Sequence, residues 1–311
     1  MCGIAGWFDR GERTPPPSPE RCAAALTALA ARGPDGQGRH VDAARGFGLL
    51  HRRLAVVDLA GGAQPMRGPE PGSWIAWNGE VFDHRDHAAR LSAAGAVLHT
   101  RSDTEVLVQL LAREGVAALS PVSAQFALAY VSADGAELLL TRDPAGEKPL
   151  YWTEHGGRVW FASTFDALVA LSGVSVDLAA DALSIYLSWG FVPAPLTIAR
   201  GVRKLEAGAW LRVRRGGELT MGRLPALPPH APVAERDAVD ALRERLTVAA
   251  RRRLESSDVP VGVFLSGGLD SLAVTAVLRD APGLRTLTGR GRDTERDEAP
   301  PTALRLAWAG P

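Results

Sequence analysis

Four prolines fall within nine residues at Leu224-Pro-Ala-Leu-Pro-Pro-His-Ala-Pro232, and the chain reads differently on either side of them. Proline fixes φ and removes a backbone donor, so neither a helix nor a central strand runs through such a stretch. Upstream, short apolar runs are separated by Gly and Asp turns: Ile4 to Phe8, Gly48 to Asp58, Trp74 to Trp77 and Arg158 to Ala162 read as strands. The runs 125–131 and 136–141 flank Ala133-Asp134-Gly135, which predicts a hairpin. Helical spacing covers about Pro19 to Arg32 and returns from Ser102 or Asp103, a candidate N-cap, to Leu119. Downstream, Asp237 to Leu254 is a charged amphipathic helix and Val259 to Leu265 a continuous apolar strand of the buried parallel kind. A glycine turn follows, then a helix from Leu269 to Arg279. The expectation is a mixed α+β domain over 2–223, a linker over 224–236 and an α/β region over 237–311.

Composition narrows the class. Lys+Arg and Asp+Glu are both 35, which gives no electrostatic argument for a nucleic-acid or membrane-surface partner. Two cysteines, Cys2 and Cys22, make no disulfide framework and suit a reducing compartment. No signal peptide or membrane span is expected, and the localisation expected is cytoplasmic.

Two segments carry chemistry. In Met1-Cys2-Gly3-Ile4-Ala5-Gly6, loss of the initiator methionine would leave one residue with both a thiol and a free α-amine. An α-amine titrates near ~7.7–8.0, so it can serve as base for its own side chain and activate the thiol against an amide. The alternative is a small apolar residue opening a buried strand. The second segment, Ser266-Gly-Gly-Leu-Asp-Ser271, lies between the apolar strand and the following helix. Glycines let backbone N–H groups approach a ligand, and a helix N-terminus favours phosphate. No Gly-Lys-Ser/Thr follows, so this is not a Walker P-loop.

These two segments belong to a longer colinear set: Arg32-Gly-Pro-Asp-Gly36, the run 51–58, Asn78-Gly-Glu80, Ser102-Asp103, Arg142-Asp143, Lys148-Pro-Leu-Tyr151, Phe161-Ala-Ser163 and the runs 190–195 and 261–271. In that order they resemble the glutamine-hydrolysing asparagine synthetases. The resemblance implies an N-terminal-nucleophile (Ntn) hydrolase αββα sandwich, followed by the start of a parallel-sheet ATP-pyrophosphatase domain. It also implies roles. Cys2 would attack the glutamine amide, and Asn78 with the Gly79 N–H would form the oxyanion hole. Arg53 would grip the substrate carboxylate, and Glu80 and Asp103 its ammonium, with Leu54, Ala55, Val56 and Val57 completing the glutamine site. Leu265, Ser266, Gly267, Gly268, Leu269, Asp270 and Ser271 would hold ATP, entering with Mg²⁺ as a substrate complex. No tightly bound cofactor and no protein metal site are implied. The ammonia would attack an adenylated aspartate, and dimers are usual in the family.

Two other functions stay open: a free-standing or inactive glutaminase fragment, and a related amidotransferase acting on another carboxylate. Read singly, Asn78-Gly79 would be a turn, Arg53 a surface charge and Asp103 a helix cap. His84 and His87 are expected at the surface, Cys22 in the core, and Arg251 to Arg253 at a helix end. Glu147, Thr164, Gln125 and Tyr130 depart from the family pattern, and none is expected to touch the glutaminase residues. Family members are much longer, and the tail from Gly289 reads as a truncation or frame change. One strand and one helix cannot cover both faces of a parallel sheet, so residues beyond about 255 are expected to expose apolar surface or need a partner.

Overall fold

The computed structural model describes residues 1–225 and 232–289. Most of the proline-rich stretch and the tail beyond Gly289 therefore lie outside the described residues. The chain divides into two units, Met1–Leu227 and Pro228–Pro311.

In the first unit the strands are β1 (Gly3–Asp9), β2 (Gly36–Asp42), β3 (Phe47–Arg53), β4 (Met66–Arg67), β5 (Trp74–Val81) and β6 (Ala124–Val131). They continue as β7 (Glu137–Arg142), β8 (Tyr151–His155), β9 (Arg158–Ala162), β10 (Val202–Lys204), β11 (Ala209–Arg214) and β12 (Leu219–Arg223). Its helices are α1 (Pro19–Ala28), α2 (His84–Ala93), α3 (Asp103–Glu114), α4 (Phe165–Ser172) and α5 (Ala180–Trp189). The strands form two antiparallel six-stranded sheets, ordered β10-β8-β9-β1-β3-β2 and β12-β11-β7-β6-β5-β4.

Packing sorts the side chains into four layers. Ile4, Phe8, Phe47 and Leu49 of one sheet meet Ala127, Ala129, Leu138 and Leu140 of the other. The outer face of the first sheet, with Ala5, Trp7 and Trp160, is covered by α1 and α4. The outer face of the second, with Ile75, Trp77 and Phe126, is covered by α3 and Leu91 of α2. This is the expected αββα sandwich. Because helices cover both sheets, central strands are buried on both faces, and all seven residues of β1 are buried. An antiparallel strand solvated on one face would alternate instead.

Several expected boundaries shift, each for a local reason. The strand expected from Gly48 to Asp58 ends at Arg53. Beyond it the chain folds around the Arg53 guanidinium and turns at Asp58, whose φ is 43°. The first helix stops at Ala28 rather than Arg32. The α3 helix stops at Gly115, where φ is 65°, and a 3-10 turn continues to Leu119. His84 and His87, expected at the surface, are buried. The His84 ring lies against the Val81 carbonyl, and the His87 Nε2 is 3.4 Å from Asp83. Cys22 is in the core, and Thr164 caps α4 through the Ala167 N–H.

Ser102 caps α3 by accepting the Thr104 N–H at 3.2 Å, which leaves Asp103 as the first helical residue instead of the cap. We expect Ser102→Ala to cost about 1 kcal/mol of folding stability, read as a lower midpoint in urea with an unchanged slope.

The second unit holds α6 (Ala238–Glu255), β13 (Gly262–Phe264), α7 (Leu269–Val277) and β14 (Arg285–Leu287), with β13 and β14 parallel. As expected, Arg252 and Arg253 lie in the last turn of α6. The apolar strand is shorter than its sequence run and is not buried. Phe264 is 81% exposed and Leu269 is 73% exposed. Among the described residues β13 pairs with β14 alone, and a two-stranded ladder does not bury both faces of such a run. Among the described residues, no helix is long and apolar enough to cross a membrane.

Candidate active site

Cys2 lies just before β1, at one end of the sandwich. Its carbonyl accepts the Arg32 Nε–H at 2.9 Å, and its Sγ accepts the Leu54 N–H at 3.4 Å. The thiol faces a cavity of about 110 Å³. Of the nine residues expected to meet glutamine, Arg53, Leu54, Val56, Val57, Asn78, Gly79, Glu80 and Asp103 line it with Cys2. Ala55 does not; its N–H donates to Asp35 at 2.8 Å.

Asn78 and Gly79 are residues of β5, not of a turn. Asn78 is 1% exposed, and its Nδ2 has no hydrogen-bond partner among the described residues. An unpaired buried amide donor costs about 1–3 kcal/mol, so folding alone does not favour it. Gly79 has no room for a side chain: a Cβ would lie 2.2 Å from the Gln125 carbonyl and 2.5 Å from the Trp77 ring. Gln125, read from the sequence as clear of the glutaminase residues, therefore lines the cavity.

Arg53 is not a loose surface charge. Its guanidinium donates to the carbonyls of Val57, Asp58 and Leu59, at 3.1, 2.7 and 2.9 Å. Gly62 permits this approach, since a Cβ there would meet the guanidinium at 2.4 Å. Three of five donors are thus used to fix the fork, which leaves Nε–H and one further N–H for a ligand. Asp103 is buried, and its carboxylate accepts the Val81 N–H at 3.1 Å. Burial, with Glu80 adding to it, pushes its pKa up to about 7. Burial also raises the Cys2 thiol pKa, which the Leu54 N–H partly opposes. The amine of Met1 is moved down by burial, with Arg32 and Lys148 acting in the same direction.

Gln64, Trp77, Thr104 and Lys148 carry no expected role from the sequence, yet all four line the cavity. Lys148 had a signal, in its Lys-Pro-Leu-Tyr segment. Its buried ammonium reaches Met1 Sδ at 3.4 Å. Gln64 had none; it accepts the Trp77 N–H at 2.8 Å through its side chain.

The Ser266–Ser271 loop sits between β13 and α7 in the second unit. Its two serine hydroxyls are 3.0 Å apart, and Ser271 Oγ reaches the Ser266 carbonyl at 3.0 Å. Gly268 caps α7 without a side-chain hydrogen bond. Leu265 is buried, while Gly268, Leu269 and Asp270 are exposed. No cluster of three or more His, Cys, Asp or Glu that could hold a metal occurs among the described residues. A cavity of about 620 Å³ in the second unit, between α6 and β14, includes none of these loop residues.

The family described as "Glutamine amidotransferase domain" matches residues 1–222, and "Asparagine synthase" matches 241–310. The "Asparagine synthetase [glutamine-hydrolyzing] 1" of Bacillus subtilis is 32% identical, covering 93% of this chain and 45% of its own length. "Amidase chry2" of Gibberella zeae is 29% identical over 89% of this chain and 43% of its own. The chain thus spans about half the length of the curated relatives it matches. Among solved structures, the glutamine phosphoribosylpyrophosphate amidotransferase of B. subtilis has a TM-score of 0.51 at 18% identity, covering 94% of this chain and 67% of its own. At that identity the likeness establishes the fold.

Proposed function

We propose, for a chain that belongs to the glutamine amidotransferase family, that the cavity at Cys2 hydrolyses the side-chain amide of glutamine and that the ammonia is intended for an ATP-activated aspartate. One observation carries the first half. The Cys2 thiol faces the same small cavity as a buried amide donor on Asn78 that has no partner of its own. A nucleophile beside an unpaired donor is what acyl transfer requires, because the donor gains its partner only when the tetrahedral oxygen forms.

The remaining roles follow from the cavity wall. The two spare donors of Arg53 suit a carboxylate, and Glu80 with Asp103 supplies negative charge for an ammonium. With Met1 removed, the Cys2 amine would lie beside Arg32, whose Nε–H donates to the Cys2 carbonyl, and that cation would favour its neutral, basic form. Leu54 N–H holds the sulfur in place before attack.

For the second half, the 241–310 match and the relatives named asparagine synthetase support ligation of ammonia to aspartate. Ser266 to Ser271 would take the pyrophosphate portion of ATP at the start of α7, with Mg²⁺ brought by the nucleotide. Exposure of Phe264 and Leu269 favours a second reading, glutamine hydrolysis without the coupled ligation.

One assay tests both: glutamate, pyrophosphate and asparagine from glutamine, with and without Mg-ATP and aspartate, across pH 5.5–8.5 (a window spanning ~1.5 units either side of 7). Only ionised Asp103 pairs with an ammonium, so kcat/KM for glutamine should rise as pH passes about 7. Asp103→Asn should lower kcat/KM roughly 10–100-fold and remove that limb. The same carboxyl lowers folding stability as pH rises, because it ionises near 3.8 when unfolded and about 7 when folded. Glutamate without pyrophosphate selects the second reading; no glutamate at any pH rejects the glutaminase.

A further inference from the structure

His51 is fully buried on β3, and its Nε2 lies 3.2 Å from the Trp77 carbonyl on β5. A carbonyl only accepts, so Nε2 carries the proton. Burial holds the ring pKa down at about 4, and the imidazole stays neutral in the working range. Nδ1 is then a bare acceptor, and it is buried with no partner among the described residues. An apolar side chain of similar size would avoid that penalty. The imidazole is therefore a costly core residue unless its Nε2 bond matters.

The bond joins the two sheets at the active site. His51 pairs in register with Ile4, two residues after Cys2, and β3 runs on to Leu54, whose N–H holds the Cys2 sulfur. Trp77 directly precedes Asn78 and Gly79 on the other sheet. The two-residue β4 ends before it reaches Trp77. Side chains take over there, with Gln64 accepting the Trp77 N–H and His51 donating to its carbonyl. The ring is thus a direct tie between the strand that frames the nucleophile and the strand that bears the unpaired amide.

We propose that His51 is a positioning residue: its Nε2–H bond to the Trp77 carbonyl sets the spacing between Cys2 and the Asn78–Gly79 pair. The proposal rests on the glutaminase reading for its kinetic consequence but not for its structural one. A misplacement on the order of 1 Å costs up to about 100-fold in rate, and it does so in turnover more than in substrate capture.

The test compares His51→Met, which keeps volume and loses the donor, with His51→Gln, whose terminal amide can reach the same carbonyl. His51→Asn, whose shorter amide falls short, replaces the Met variant if that does not fold. Glutamate release should fall about 10–100-fold in kcat for Met, with KM changed less than about 3-fold, and Gln should recover most of it. Backbone amide exchange across Trp77–Val81 should quicken in Met and stay slow in Gln. Wild-type kcat in Met, or equal losses in Met and Gln, would show that the ring only fills the core. If the wild-type chain releases no glutamate, the functional reading fails and the exchange arm decides alone. Equal protection in all three proteins then overturns the tie, and loss confined to Met upholds it.

Discussion

Replacing Cys2 with alanine should abolish glutamate release, a fall on the order of 10⁴-fold or more, to the assay background. The size follows from the site. The other groups lining the cavity offer no second nucleophile placed as the thiol is, with a backbone N–H on its sulfur and an open cavity in front of it. Folding should be spared, because the thiol is only partly buried and contributes little to the sandwich core. The Cys2→Ala midpoint in urea should therefore lie close to wild type while activity is lost. Cys2→Ser separates nucleophilicity from shape, since it keeps a similar form with a far less ionisable group, and it should remain on the order of 10²-fold or more below wild type. Intact-mass measurement adds a condition: glutamate release should track the fraction of chains that have lost Met1, because only those present a free amine on Cys2. Activity in chains that keep Met1 would move the base elsewhere, and activity in Cys2→Ala would discard the nucleophile.

Much of the sandwich was legible because helices cover both sheets. An uninterrupted apolar run such as Ile4 to Phe8 has one good explanation, burial on both faces, and β1 shows it. The same rule misled in two places. Leu54, Val56 and Val57 are apolar and wall the cavity, so the expected strand ran on past Arg53. Val259 to Leu265 reads as a covered parallel strand, whereas among the described residues Phe264 stands exposed in a ladder with β14. With no further ligands at zinc spacing, His84 and His87 read as surface residues, but each ring finds a local partner that makes burial tolerable. The polar edge strand β2 and the small helices α2, α4 and α5 lacked a strong period and went unread. At the site, the segments named most of the residues that line the cavity, but the constraints on them are tertiary. That Arg53 spends three donors on its own loop, and that Gln64 and His51 close the Trp77 edge, depends on chain crossings that no local spacing encodes.

Asn78 offers the sharpest separation of function from stability. Asn78→Ala should lower kcat for glutamine hydrolysis by about 10²–10³-fold, the usual loss when one oxyanion donor is removed, with KM nearly unchanged. A structural asparagine would show the opposite pattern, losing stability in proportion to activity. Here the Nδ2 group is buried and unpaired, so folding already bears its desolvation cost of about 1–3 kcal/mol. Deleting the amide relieves that cost, although it leaves a small void in the wall of an existing cavity. The two effects oppose each other, and the urea midpoint should stay level or rise. Asn78→Asp is the harsher test at nearly equal volume. A carboxylate at that position would repel the developing oxyanion and should fall below the alanine variant in kcat. An Asn78→Ala protein that unfolds easily but turns over normally per folded molecule would make the side chain a structural tie and leave the Gly79 N–H as the surviving candidate donor. Lost turnover with undiminished stability would instead identify Asn78 as a group whose partner appears only in the transition state.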